Sequence, residues 1–84
     1  INELIAIVKN KLEKEIVIQD LKIEDKSFLH KNHKSHQKGK FHLKIIIKSD
    51  ELAKLSKIIS TKRIYSVLDL ELKEHIHSIQ ILFS

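Results

Sequence analysis

The residues with the clearest capacity for chemistry are histidines, and four of the six in this 84-residue chain occur within a short stretch. His30, His33 and His36 form the pattern H-x-x-H-x-x-H, and His42 follows on an apolar segment. Neutral imidazole is a common ligand of zinc, copper, iron and nickel. A loop can wrap two or three imidazoles around one ion, whereas an extended strand cannot. The pattern leaves two interpretations open, a metal site in this loop and an exposed polar loop.

A further histidine, His77, lies in a different setting. It belongs to an alternating segment and shares its side of the predicted strand with three apolar residues, Ile79, Ile81 and Phe83. A single histidine on an apolar face is more often a partly buried, hydrogen-bonded side chain than a metal ligand. From the spacing alone, we therefore expect His77 to be a partly buried structural residue.

The arrangements that carry most catalytic mechanisms are missing from the sequence. There is no cysteine nucleophile, no H-E-x-x-H motif and no serine set in a glycine-containing nucleophile elbow. The single glycine also excludes a glycine-rich phosphate-binding loop. Glu71 and Glu74 flank a predicted helix, where we expect both to be solvated. The sequence therefore predicts a binding protein that is not an enzyme by itself.

The positive charge of the chain is concentrated in one segment. Residues 26–48 contain seven lysines and no acidic residue, whereas the formal net charge of the whole chain is +5. Such a patch attracts nucleic acid, anionic lipid or an acidic protein, and the simpler interpretation is a solvated lysine-rich loop. The candidate nucleic-acid contacts are basic residues of this segment and of the third predicted helix: Lys38, Lys40, Lys62 and Arg63. Without a stacking platform or a G-x-x-G loop, such binding would have little sequence specificity.

Length and composition predict a single domain and fit a reducing, aqueous compartment. The chain is 42% hydrophobic and 32% charged, which is typical of a globular domain. The absence of cysteine fits a reducing environment. No apolar run approaches the roughly 20 residues of a membrane span, and the helical pattern at the start is unlike a signal peptide. We expect a bacterial cytoplasmic protein without membrane attachment, with an organelle matrix as the alternative.

Hydrophobic periodicity predicts the element order α-β-β-α-α-β, which is an α+β fold with helices on one face of a small sheet. The segments read, in chain order, as a helix at 2–15, a strand at 21–25, a polar loop at 27–40, a strand at 41–48, two helices, and a strand at 76–83. Ser49 or Asp50 is expected to cap the second helix, and Ser60 or Thr61 is expected to cap the third.

The order of these segments resembles the BolA-like family over nearly the whole chain, with residues 1–84 as a single domain. The similar segments, each with the family pattern, are Ser27–His30 with S-x-x-[HC], Phe41–Ser49 with H-F-x-V-x-V-V-S, Ile64–Leu68 with V-Y-x-x-L, and Ile76–Ile79 with I-H-A-L. Two segments depart from the family. Its F-x-G reads Leu52–Lys54 here, and its R-H-R reads Ser60–Lys62, which weakens any DNA contact at that helix end.

The resemblance implies a class II KH-like α+β fold of order αββααβ, with helices packed on one face of a three-stranded mixed sheet. It also implies a monothiol glutaredoxin partner and a shared [2Fe–2S] cluster, used for iron–sulfur cluster trafficking or iron regulation. By position, the implied ligands are His30 and His77, and His33 or His36 could replace His30. The glutaredoxin cysteine and glutathione would supply the remaining ligands. The isolated chain, a monomer or weak homodimer, is therefore expected to carry no cluster.

Two other functions stay open at this point. A basic KH-like protein could bind DNA as a transcriptional regulator of a stress response, through the lysines and the arginine named above. A chelator acting alone could bind zinc or copper through the loop, with His33 and His36 as the essential ligands.

Overall fold

The structure is a computed structural model that describes residues 2–26 and 41–84. The described elements are α1 (Asn2–Glu15), β1 (Asp20–Asp25), β2 (Phe41–Lys48), α2 (Asp50–Ala53), α3 (Lys57–Val67), α4 (Asp69–Glu74) and β3 (Ile76–Phe83). The predicted α+β order is confirmed, with α4 following α3 after a break at Leu68. The loop predicted at 27–40 lies outside the described residues. No helix in the described ranges has the length and apolarity needed to cross a membrane.

Strand β2 is the centre of a three-stranded mixed sheet in the described part of the chain. It pairs antiparallel with β1, where Ile45 faces Ile23, and parallel with β3, where Ile45 faces Ile81. Parallel strands need a long crossover connection, which α2, α3 and α4 provide here. The central strand is therefore held on both sides.

The core lies between one face of β2 and the amphipathic side of α1. The predicted alternation in β2 is confirmed, because Leu43, Ile45 and Ile47 are all buried while the residues between them are partly exposed. The helical spacing of α1 turns Val8 and Leu12 to the same side, and both are fully buried. Buried residues of the other helices join this cluster, so the helices pack on one face of the sheet.

Of the two residues expected to cap α2, Ser49 is the cap and Asp50 is the first residue of the helix. Its hydroxyl oxygen accepts a hydrogen bond of 3.1 Å from the backbone N–H of Leu52, and the hydroxyl donates one of 2.6 Å to the carbonyl of Val17. The Ser49 side chain therefore provides an acceptor for a backbone N–H at the start of α2 and connects this helix to the segment that precedes β1.

The predicted cap of the next helix is wrong. Helix α3 begins at Lys57, and Ser56 is its cap, accepting a hydrogen bond of 3.1 Å from the N–H of Ile59. Ser60 is buried inside the helix, where its hydroxyl donates to the carbonyl of Leu52 at 3.1 Å. Ser56 and Ser60 are four positions apart, and the sequence does not show which of them caps the helix. The contact of Ser60 with the end of α2 decides it.

The expectation that Glu71 is solvated is also wrong. Its side chain on α4 is buried, with the residue only 4% exposed, and Oε2 lies 2.6 Å from Nζ of Lys11 on α1. The other carboxylate oxygen, Oε1, has no hydrogen-bond partner among the described residues. The ion pair therefore holds α4, which leads into β3, against α1.

We predict that Lys11→Ala lowers the free energy of unfolding by about 1–3 kcal/mol, because it leaves the buried Glu71 carboxylate without its counter-charge. Urea denaturation followed by circular dichroism measures the change. Lys9→Ala is the matched control, since Lys9 is exposed on the same helix and should shift stability by no more than about 0.5 kcal/mol. Equal effects of the two substitutions would contradict the assigned role of the ion pair.

Candidate functional site

The site begins with an irregularity in the pairing of β2 with β3. Phe41 faces Ile76 and His42 faces Ser78, so His77 is an extra residue on β3 without an opposite partner. An extra residue of this kind is a β-bulge, which redirects side chains relative to a regular strand. The bulge therefore decides which way the strand presents His77.

His77 is exposed, which corrects the expectation of a partly buried side chain on the apolar face. Ile76, directly before it, is 2% exposed and belongs to the core. Alternation counted back from Ile79 put His77 on the inner side, but the extra residue shifts the alternation by one position. The histidine that the family resemblance selected is thus accessible to a ligand outside the protein.

The structure brings a second imidazole to His77 that the sequence analysis did not assign to the site. The ring centroids of His42 and His77 lie 4.9 Å apart, with the ring planes tilted by 59°. His42 is partly exposed, and a hydrogen bond of 2.7 Å joins its Nδ1 to Oγ of Ser78. Each of the two strands has a histidine as its second residue, and the parallel register of the strands brings these histidines together. The bulge set that register, and single-sequence patterns do not reveal it.

Two lysines are close to His42 in the strand pairing. Lys44 lies two residues beyond His42 on β2, and the backbone N–H of Lys26 donates to the carbonyl of His42 at 2.7 Å. Oε1 of Glu24 lies 3.6 Å from Nζ of Lys26, and Oε2 lies 3.5 Å from Nζ of Lys22. Partial burial raises the pKa of Glu24, but the charges of Lys26, Lys22 and Lys44 outweigh it and hold that pKa below its ordinary value. Glu24 is therefore ionised at neutral pH and offsets part of the lysine charge.

Several residues proposed from the sequence lie outside the described part of the chain: His30, His33, His36, Lys38 and Lys40. Their roles stay predictions. Within residues 2–26 and 41–84, no group of three or more His, Cys, Asp or Glu side chains is arranged to hold a metal ion. Of the histidines proposed as cluster ligands, only His77 lies in the described part of the chain.

The two basic residues proposed on α3 differ in their surroundings. The guanidinium of Arg63 forms an ion pair with Glu51 at 2.6 Å and donates to the backbone carbonyl of Glu15 at 3.0 Å. Arg63 thus connects the end of α1 with α2 and α3, and a phosphate would have to compete for these contacts. Lys62 is exposed.

The described part of the chain is a small α+β domain, with helices on one face of a mixed three-stranded sheet. An exposed histidine lies near the start of its parallel edge strand. The chain belongs to the BolA-like protein family, whose sequence profile matches residues 12–83. The resemblance inferred from the sequence motifs is thereby confirmed. The comparison with curated proteins gives no match.

Solved structures of BolA proteins are similar to this chain. The BolA domain of SufE1 from Arabidopsis thaliana shares 30% sequence identity with a TM-score of 0.80, covering 94% of this chain and 87% of that chain. BolA1 from Arabidopsis thaliana shares 26% identity with a TM-score of 0.80, at 94% and 87% coverage. BolA1 from Mus musculus, at 19% identity and a TM-score of 0.75, covers 94% of this chain and 62% of that chain and supports the fold alone.

We predict that Ser78→Ala changes the imidazole of His42 without unfolding the protein. Loss of the hydroxyl removes the bond that favours one tautomer of His42, so the signals of its ring nitrogens should change. Long-range ¹H–¹⁵N NMR correlations measure these signals. Ser66→Ala, which removes an exposed hydroxyl on α3, should leave them unchanged. Identical His42 signals in the wild type and Ser78→Ala would contradict the assigned hydrogen bond.

Proposed function

We propose that this protein is a non-enzymatic adaptor that binds a monothiol glutaredoxin and contributes histidine ligands to a [2Fe–2S] cluster shared with it. The observation that carries the proposal is His77, which lies at a β-bulge with its imidazole exposed at the sheet edge. Histidine can replace cysteine as a ligand of a [2Fe–2S] cluster and raises its reduction potential. An exposed imidazole on a rigid strand suits such a shared site.

The donor set of the chain requires a partner for this function. The usual cluster has four thiolate ligands, and the sequence contains no cysteine. The thiolates would come from the glutaredoxin cysteine and from glutathione. The second ligand from this chain would be His30, or His33 or His36 in its place, as the family pattern implies. Cluster trafficking or iron regulation is the cellular role that we propose for the complex.

The charge around His77 supports the same function. A cluster held by thiolates and the carboxylates of glutathione are anionic, and Lys26 and Lys44 lie beside His42 on the same edge of the site. Positive side chains near a binding site attract anions and speed their encounter, most strongly at low salt. The lysines would therefore steer the glutaredoxin–glutathione face toward the imidazoles.

The alternative proposal, a basic nucleic-acid-binding regulator, has weaker support. It needs free cationic side chains on α3, where Lys62 and Arg63 lie in the middle of the helix and not at its start. Arg63 is engaged with Glu51 and with the end of α1. Lys62 alone would give a small, sequence-independent contribution. A DNA affinity that falls steeply with salt, together with no glutaredoxin binding, would favour this alternative.

We predict that the chain forms a complex with a cluster-loaded monothiol glutaredoxin, with a new visible absorption and circular dichroism spectrum. His77→Ala should abolish the new spectrum, because it removes the exposed imidazole at the bulge. His30→Ala should alter it if that loop residue is the second ligand, and His33→Ala and His36→Ala test the substitutes.

The matched control for this experiment is His75→Ala. His75 is exposed two residues before His77 and lies 3.8 Å from Glu74, so its loss tests a nearby imidazole outside the bulge. It should leave the spectrum of the complex unchanged. A glutaredoxin spectrum that the wild-type chain does not alter, with no complex in size-exclusion chromatography, would overturn the adaptor proposal.

We further predict that Lys44→Gln weakens the glutaredoxin complex about 2–5-fold at low salt, as expected for one partly exposed charge. The effect should shrink as salt is added. Lys48→Gln makes the same charge change about 20 Å from His42 along the strand and should have a smaller effect. Isothermal titration calorimetry at two salt concentrations measures both. Equal effects of the two variants would show that the lysine charge does not act at the histidine site.

A further inference from the structure

We propose that β3 pairs antiparallel with β3 of a second copy of this chain, across a two-fold axis, so that two three-stranded sheets join into one. The inference goes beyond the adaptor proposal, because it involves neither a glutaredoxin nor a cluster. It rests on the open edge of β3, on the residue types along that edge, and on the direction in which the backbone groups point.

The edge of β3 lacks the features that usually protect a strand from pairing. In the described part of the chain the strand order is β1-β2-β3, so β3 has a neighbouring strand on one side only. Natural sheets protect such edges with charged side chains, proline, short length or bulges. Strand β3 has eight residues without Asp, Glu, Lys, Arg or Pro, and its bulge lies at the start, at His77. The edge beyond the bulge is therefore open to another strand.

The other edge strand, β1, has the protection that β3 lacks. Four of its six residues are charged: Asp20, Lys22, Glu24 and Asp25. A second copy that paired along β1 would bring several of these charges close to one another, which disfavours association. The contrast between the two edges selects β3 as the one suited to pairing.

The backbone groups of β3 alternate between its two edges. The N–H of Ser84 donates to the carbonyl of Ile47 at 2.9 Å, so the backbone groups of Ser84 face β2. Successive residues of a paired strand direct their N–H and C=O groups to opposite sides in the plane of the sheet. In the regular register beyond the bulge, the residues whose backbone groups face the open edge are therefore Ile79, Ile81 and Phe83.

The side chains of the same three residues still have apolar surface to bury. They pack against the core from the helix-covered face of the sheet, yet each is partly exposed. On the central strand, by contrast, Leu43 and Ile45 are at most 2% exposed. A further strand beside β3 would cover part of this remaining apolar surface, which favours pairing.

Antiparallel self-pairing centred on Ile81 matches the side chains on both faces of the sheet. Ile81 faces Ile81 of the second copy, and Ile79 faces Phe83 of the second copy, so apolar residues meet on the helix-covered face. On the opposite face, the exposed Gln80 faces the exposed Leu82 of the second copy. The two-fold axis makes each unlike contact occur twice, and none of them brings like charges together.

A second copy suits this edge better than a charged segment of another protein. Such a segment would find no counter-charge on β3, whereas the uncharged strand needs none when it pairs with itself. One pair of edge strands is a small contact compared with the roughly 1,200–2,000 Å² that stable complexes bury. We therefore expect a weak dimer in equilibrium with the monomer.

The test measures self-association of the full chain by analytical ultracentrifugation at protein concentrations up to about 1 mM. We expect the dimer fraction to rise with concentration. Over the same range, the backbone ¹H–¹⁵N signals of Ile79, Ile81 and Phe83 should shift and their hydrogen exchange should slow, because these N–H groups would enter hydrogen bonds. The signal of Leu82, whose N–H faces β2, should change less.

Gln80→Lys combined with Leu82→Lys tests the register. Both residues are exposed, and in the dimer each introduced lysine would face a lysine of the second copy, so we expect association to weaken at least about tenfold. Gln80→Lys combined with Leu82→Glu places opposite charges across the axis and should restore association. The matched control, Ile58→Lys with Ser66→Lys, adds the same two charges at exposed positions of α3 and should leave association unchanged.

Gln80→Glu combined with Leu82→Glu repeats the like-charge test with the other sign, in case the lysines disturb the fold, and circular dichroism checks every variant. A chain that stays monomeric up to about 1 mM would overturn the inference and leave the edge to an extended segment of another protein. A dimer that neither like-charge variant weakens would also overturn it, because its interface would lie elsewhere.

Discussion

The parallel pairing of β2 with β3, interrupted by one extra residue, is the constraint on which the rest of the structure depends. It buries the inner face of β2 and sets Ile76 into the core. The same register presents His77 outward and brings Ser78 opposite His42. A slip by one residue would exchange the two faces of the strand, exposing apolar side chains and burying polar ones. Core packing and site geometry are therefore consequences of a single alignment.

Much of the fold follows from patterns that the sequence displays. The helical spacing in α1 and the alternation in β2 predicted both elements, because each buries one side against a common core. Ser49 was recognisable as a cap because it precedes an apolar helical run. These features depend on residues that are close together in the chain, so a single sequence is enough to predict them.

The features that escaped prediction all depend on contacts between distant segments. Glu71 looked solvated because the sequence does not reveal that Lys11 on α1 faces it. Ser60 looked like a cap because its true partner, the carbonyl of Leu52, belongs to another helix. His77 was selected by its motif, but its exposure came from the bulge, and the ring of His42 became part of the site only through strand pairing. Local patterns do not record such pairings.

The contact between His42 and His77 also depends on the order in which the sheet forms. His42 and Ser78 are 36 positions apart in the chain, and the parallel strands that carry them are joined by a long crossover connection. Contacts between such distant residues form late, because the chain must first close a long loop. A partly folded chain holding α1, β1 and β2 would have His42 without the imidazole beside it. The contact between the two imidazoles therefore forms together with completion of the sheet.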